Sequence, residues 1–187
     1  MPDHERREHE APISEFRPVV LVGLMGAGKT TVGRGLARCF NWTFVDCDHE
    51  IERRTGVRIP TIFEIEGEIG FRRRESATIR ELVQRHNHVI ASGGGVVIDP
   101  QNRALLRDAG LVVYLSAPTR LLYERTRHDR NRPLLQVEDP LSRLEQLQAE
   151  RDPLYRETAH IIVDGGRHHA NQIVHLLEQE VKQRCKL

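Results

Sequence analysis

A chain of 187 residues with a formal net charge of +1 is long enough to bury a substantial core, as one domain or as one domain with a small insertion. So even a charge balance argues against a nucleic-acid footprint or a membrane-surface role. No apolar run reaches the length of a transmembrane helix or resembles a signal-peptide core, so a cytoplasmic protein is expected.

Residues 1–17 alternate acidic and basic side chains around Pro2 and Pro12 without a sustained period, and are expected to form a disordered tail. Residues 18–187 then read as a single domain. It opens on the apolar run Val19-Val20-Leu21-Val22, the pattern of a parallel strand buried on both faces. Gly23-Leu24-Met25-Gly26-Ala27-Gly28-Lys29-Thr30 follows and leads into a helix expected over Lys29 to Phe40, with Val32, Leu36, Ala37 and Phe40 on its apolar face. In Gly-x-x-x-x-Gly-Lys-[Ser/Thr], glycines let the backbone curl around phosphates with positive φ and no Cβ in the way. The amides of the turn and of the helix start face the anion, Lys29 can reach the β- and γ-phosphates, and the Thr30 hydroxyl can ligate Mg²⁺.

A second strand, Thr43 to Val45, runs into Asp46-Cys47-Asp48, and a helix from about His49 stops at Gly56. Pro60 to Gly67 is punctuated as a short helix and residues 68–86 as a longer one, with Phe71, Ile79, Leu82 and Val83 at helical spacing. A third strand, Val89 to Ala91, meets Ser92-Gly93-Gly94-Gly95. Further helices are expected over Pro100–Ala109, Pro118–Arg127 and Pro140–Tyr155, and strands over Leu111–Leu115 and His160–Val163. Residues 128–139 are polar, without period, and read as a surface loop. A terminal helix carries Ile173, Leu176, Leu177 and Val181. Of the three cysteines, Cys39, Cys47 and Cys185, Cys39 reads as a core residue; their odd number and spacing fit reduced thiols. The ten histidines show no chelating arrangement, which argues against a zinc site.

Five apolar strands alternating with helices predict a parallel sheet covered on both faces, and such sheets collect ligands at the carboxyl ends of their strands. Asp46 and Asp48, two apart, point to one face if strand geometry persists; one can help hold Mg²⁺ or its water shell while the other engages an acceptor hydroxyl. Asp48 can instead simply cap the following helix. The three glycines allow a ligand to approach the backbone at Gly94, or merely make a tight turn. Arg72, three residues before Glu75, can be held by it on one helix face, and Arg151 and Arg132 can reach the same sheet edge. A guanidinium fork matches a planar carboxylate, and the loop with Arg132 can close over a nucleotide, exclude water and bring a cation to the transferring phosphoryl. Arg73, Arg74 and Arg130 read as solvated surface positions.

Taken in order, the cradle at 23–30, Asp46-Cys47-Asp48, Gly70-Phe71-Arg72, Gly93-Gly94-Gly95, Arg132-Pro133-Leu134-Leu135 and Arg151-Asp152-Pro153-Leu154-Tyr155 resemble the shikimate kinases, P-loop enzymes of the nucleoside monophosphate kinase type. The resemblance runs from about Pro18 to the C-terminal helix. It implies a three-layer α/β/α fold with a five-stranded parallel sheet in the order 2-3-1-4-5, an acceptor-binding segment at about 48–80 and a lid at about 127–139. It also implies transfer of the γ-phosphoryl of ATP to the 3-hydroxyl of shikimate by a monomer, with Mg²⁺ as cofactor and no nucleic-acid or membrane partner. Lys29, Asp48 and Arg132 would then be catalytic, and Gly26, Ala27, Gly28, Lys29, Thr30 and Thr31 would surround the ATP phosphates. Arg132 would cover the nucleotide, and Arg125 and Arg167 would flank the adenine. Asp48, Phe71, Arg72, Gly93, Gly94, Gly95 and Arg151 would hold shikimate. Thr30 would ligate the metal, with Asp46 assisting through water. Thr30 stands where the family commonly carries serine, and keeps the hydroxyl. A kinase for another small polyol or sugar acid such as gluconate would share the cradle without a separate reason for Arg72, Gly94 and Arg151. A nucleotide-binding module without catalysis would need no acceptor pocket.

Overall fold

The computed structural model describes residues 17–185, the side chain of Cys185 excepted. The expected tail therefore lies outside the described residues, save Arg17, whose guanidinium donates to the Asp108 carbonyl. Five strands, β1 (Val19–Val22), β2 (Thr43–Asp46), β3 (His88–Ala91), β4 (Leu111–Ser116) and β5 (Ile161–Asp164), form one sheet in the order β2-β3-β1-β4-β5. Every pairing is parallel, with Leu21 level with both Ala91 and Val113, Asp46 level with Ala91, and Ser116 level with Asp164. All five carboxyl ends therefore share one edge of the sheet. The central strand has no exposure at any of its four residues, which is why its sequence is unbroken valine and leucine. At the sheet's edge β5 alternates buried and exposed side chains instead.

Seven helices connect and cover the strands: α1 (Lys29–Phe40), α2 (Cys47–Thr55), α3 (Ile59–Leu82), α4 (Pro100–Ala109), α5 (Thr119–Thr126), α6 (Pro140–Thr158) and α7 (Ala170–Cys185). The break expected between the short and the longer helix falls at Gly67, whose φ of 68° and ψ of −178° separate two helical halves of α3; the second half stops at Leu82 rather than 86. The loop expected at 128–139 holds one 3₁₀ turn, Pro133–Leu135. The main core fills both faces of the sheet, while Ile51, Ile59, Ile62 and Phe71 make a second cluster that joins α2 to α3. This satellite cluster holds the α2–α3 arm over the sheet's carboxyl edge.

Two side chains depart from expectation. Cys39 is exposed and Cys47 is buried, although Cys39 follows the buried Val32 and Leu36 by seven and three residues; it stands in the last turn of α1. On α7, Ile173, Leu177 and Val181 are buried at four-residue spacing, and Leu176 lies beside that stripe at 40% exposure.

Candidate functional site

At the sheet's carboxyl edge a cavity of about 310 Å³ is lined by residues from β1–α1, β2–α2, α3, the β3–α4 loop, the α5–α6 loop and α6. That size suits a small ligand. The cradle makes one end. Gly23, Gly26 and Gly28 have φ of 144°, 81° and 93°, the left-handed conformations for which the motif needs glycine. A Cβ on Gly26 would also stand 2.9 Å from the Thr126 side chain. Gly26, Gly28, Lys29, Thr30 and Thr31 line the cavity; Ala27 is buried behind it, its amide donating to the Leu24 carbonyl at 3.2 Å. The Lys29 ammonium donates to the carbonyls of Gly23 at 2.7 Å and Leu24 at 2.9 Å, so its stem folds back over its own loop. Burial, reinforced by the Arg132 cation, lowers its pKa to about 8.

The carboxylates do not keep the strand geometry that their spacing suggests. Asp46 ends β2 and is itself the N-cap of α2, accepting from the amides of Asp48 at 3.0 Å and His49 at 3.4 Å. The capping role considered for Asp48 thus belongs to Asp46, and Asp48 already lies in the first turn of the helix. Both still line the cavity. The other oxygen of Asp46 accepts from the Thr30 hydroxyl at 2.7 Å. One oxygen of Asp48 pairs with Arg132 at 3.2 Å, and the other is buried without a hydrogen-bond partner among the described residues. Burial pushes the Asp48 carboxyl above the usual aspartate range, while Arg132 pulls the other way.

At the far end of the cavity, Arg72 donates to Glu75 at 2.7 Å and to Glu68 at 3.0 Å, with its guanidinium 5.3 Å above the Phe71 ring. Glu75 is 1% exposed, and burial raises its pKa against the pull of Arg72. Its second oxygen, Oε1, has no partner among the described residues, and neither has Nη1 of the buried Arg151. Leaving a buried charged group short of a hydrogen bond is costly, so three such atoms on one cavity fit a polar ligand that supplies the missing partners.

Of the glycines between them, Gly93 and Gly95 are small for packing reasons, and φ is in the ordinary range at all three. A Cβ on Gly93 would stand 2.0 Å from Glu75 Oε1, and one on Gly95 2.0 Å from Arg72 Nη1. Gly94 and Gly95 line the cavity, whereas Gly93 is packed behind it. Arg125 lines the cavity and donates to the Gly26 carbonyl at 3.1 Å. Arg167 stays outside it, 81% exposed and paired with Asp164. Arg73, Arg74 and Arg130 are exposed, as expected. Arg132, held also by Asp129 at 3.1 Å, reaches 84 positions back along the chain to Asp48.

Ile59 and Phe63 supply apolar walls that no sequence signal marks, and Met25, Pro133 and Leu134, visible in the sequence only as parts of motifs, line the cavity with Asn131 of the expected lid. Glu75 was legible as a partner for Arg72 through its spacing, but nothing local indicates that it is itself buried at the cavity. Tyr155, whose hydroxyl donates to the Gly94 carbonyl, was visible only as part of a motif.

The donor set at Thr30 and Asp46 suits Mg²⁺, a hard cation that takes one or two protein oxygens and completes its shell with waters and substrate phosphates. In keeping with that sparse set, the described residues hold no cluster of three or more His, Cys, Asp or Glu able to grip a metal by themselves.

The shikimate kinase family profile matches residues 25–182. A shikimate kinase of Aromatoleum aromaticum is 63% identical over 164 residues, 88% of this chain and 94% of that protein. One of Dechloromonas aromatica is 65% identical over 168 residues, covering 90% and 92%. The solved structure of shikimate kinase from Acinetobacter baumannii in complex with shikimate is 48% identical and superposes with a TM-score of 0.88, covering 90% of this chain and 94% of that one.

Proposed function

The chain belongs to the shikimate kinase family, and from that premise we propose that it transfers the γ-phosphoryl of ATP to the 3-hydroxyl of shikimate, yielding shikimate 3-phosphate and ADP. The observation that carries this reading is the junction in one cavity of a phosphate cradle with an acceptor pocket whose charged atoms, on Asp48, Glu75 and Arg151, are buried and short of partners.

ATP lies with its phosphates against the amides of residues 26–31, and Lys29 leaves its two carbonyl acceptors to reach the β- and γ-phosphates. Thr30 would hold Mg²⁺, with Asp46 assisting through water; the ion, when bound, would neutralise charge on the phosphates. Arg125 and, from the β5–α7 loop, Arg167 flank the adenine. Shikimate lies with its carboxylate toward Arg72 and Arg151, whose planar forks match it, and with its ring against Phe71 and the backbone of Gly94 and Gly95. Gly93 contributes by leaving room for Glu75, not by touching the acceptor.

Asp48 orients the 3-hydroxyl and takes its proton, a task suited to a carboxyl that burial has made more basic. The hydroxyl oxygen bonds to the γ-phosphorus as the bond to the β–γ bridging oxygen breaks, and the departing electron pair stays on ADP. Arg132 then exchanges its Asp48 contact for the transferring phosphoryl and stabilises the charge there. None of the described helices is long and apolar enough to cross a membrane.

An assay of ADP release with shikimate, with gluconate and with no acceptor tests the reading. Release that depends on shikimate is expected; comparable release with gluconate, or with no acceptor, would reject it.

A further inference from the structure

Most side chains around the cavity have a task in this reading, and Tyr155 does not. It is fully buried in α6, four residues after Arg151 and therefore on the same helix face. Its hydroxyl donates to the carbonyl oxygen of Gly94. Its ring stacks on that of Tyr114 in β4, with centroids 4.9 Å apart and planes inclined at 28°. Tyr114 is fixed in turn: its hydroxyl donates to Asp152 at 2.7 Å, and the Gln148 amide donates to both at 3.2 Å. Asp152 is held by Arg156 at 2.6 Å.

The place where the Tyr155 bond lands gives it a purpose. Gly93 and Gly95 are wedged against Glu75 and Arg72, whereas a Cβ on Gly94 would be accommodated, in ordinary contact at 3.6 Å or more. The turn closed by the Val96 amide on the Gly93 carbonyl at 3.3 Å spans the middle glycine, and no side chain of its own adds to that hold. The peptide after Gly94 is trans, so drawing its carbonyl toward Tyr155 aims the Gly95 amide the opposite way. One hydrogen bond thereby orients two backbone groups. At Gly94 the Tyr155 hydroxyl and Arg151 Nη1 lie almost equally near, at 3.6 and 3.7 Å from the same Cβ position.

We infer that Tyr155 is a positioning residue for the acceptor. Its hydroxyl fixes the Gly94 backbone beside Arg151, and the Tyr114–Asp152 pair backs its ring, so that the shikimate half of the cavity is set before substrate arrives. The inference rests on the functional reading above.

Tyr155→Phe keeps the ring and removes the bond. With both substrates varied, the KM for shikimate is expected to rise about two- to tenfold, the range one ordinary hydrogen bond covers, while the KM for ATP stays within about twofold. Tyr114→Phe retains the Tyr155 hydroxyl and loosens only its backing, so a smaller shift in the same direction is expected. Val181→Ala, in the buried stripe of α7, lowers the melting midpoint through a cavity and should move neither KM, which separates positioning from loss of stability. An unchanged shikimate KM in Tyr155→Phe, or an equal rise for both substrates, would overturn the inference. If that variant fails to fold, an unchanged shikimate KM in Tyr114→Phe does the same. Activity of the unaltered chain on shikimate reports separately on the functional reading.

Discussion

The two ends of the cavity are built by different means. The phosphate cradle at the nucleotide end is one contiguous stretch, residues 23–31, in which backbone conformation does most of the work and Lys29 reaches back over its own loop, with Asp46 and Arg125 brought up beside it. The acceptor end is assembled from α2, α3, the β3–α4 loop and α6, and depends on charged side chains, Asp48, Arg72, Glu75 and Arg151, that meet only because the sheet brings four carboxyl-end segments together. A backbone cradle recognises phosphate wherever it is bonded. A dispersed set of forks and carboxylates recognises one acceptor shape, so specificity resides at the end with no contiguous motif.

Arg132 spans the two ends, and its removal is the harshest test of their division. Arg132→Ala should depress kcat by about 10²–10³-fold, the scale for losing one preorganised group that stabilises transition-state charge, with far less change in shikimate affinity. Equal losses in both, or none, measured by steady-state kinetics and titration, would show that the arginine is not the bridge between the ends.

A milder test acts on the nucleotide end alone. In the free chain Lys29 has a pKa of about 8, and bound phosphates favour its charged form. Below pH 8 the ammonium is already in place, so ADP affinity should be flat there. Above pH 8 a proton must be taken up on binding, and the Kd should rise by up to about tenfold per unit. Titrations from pH 7 to 9.5 that show no bend would mean that Lys29 stays charged throughout or does not meet the phosphates.

The same division decides what could be read from the chain alone. β1, the cradle and α1 follow one another, and an unbroken apolar strand, three glycines and an amphipathic helix are local signals; the helix runs over Lys29–Phe40 as its pattern predicts. α2 starts two residues before the expected His49, because Asp46 and Asp48 both suit the cap and helix ends shift by a residue or two. Cysteine's general tendency to be buried does not hold at Cys39, which stands in the last turn of α1. At the acceptor end only the Arg72–Glu75 contact follows from spacing. That Arg151 is buried beside them, or that Tyr155 braces Gly94 from 61 positions away, depends on sheet order and register, which no local pattern encodes. The sequence alone places Arg151 only within reach of that sheet edge, and Tyr155 only within a motif that resembles a family's.

The claim that the two ends are recognised separately is tested most directly by calorimetric titration of Arg72→Lys with shikimate and with ADP. Lysine keeps the charge but lacks the fork, and a charge-assisted bond of this type is worth about 1.5–3 kcal/mol. Shikimate affinity should fall by at least about tenfold with ADP affinity unchanged. Unchanged shikimate affinity, or an equal loss of both ligands, would contradict the account.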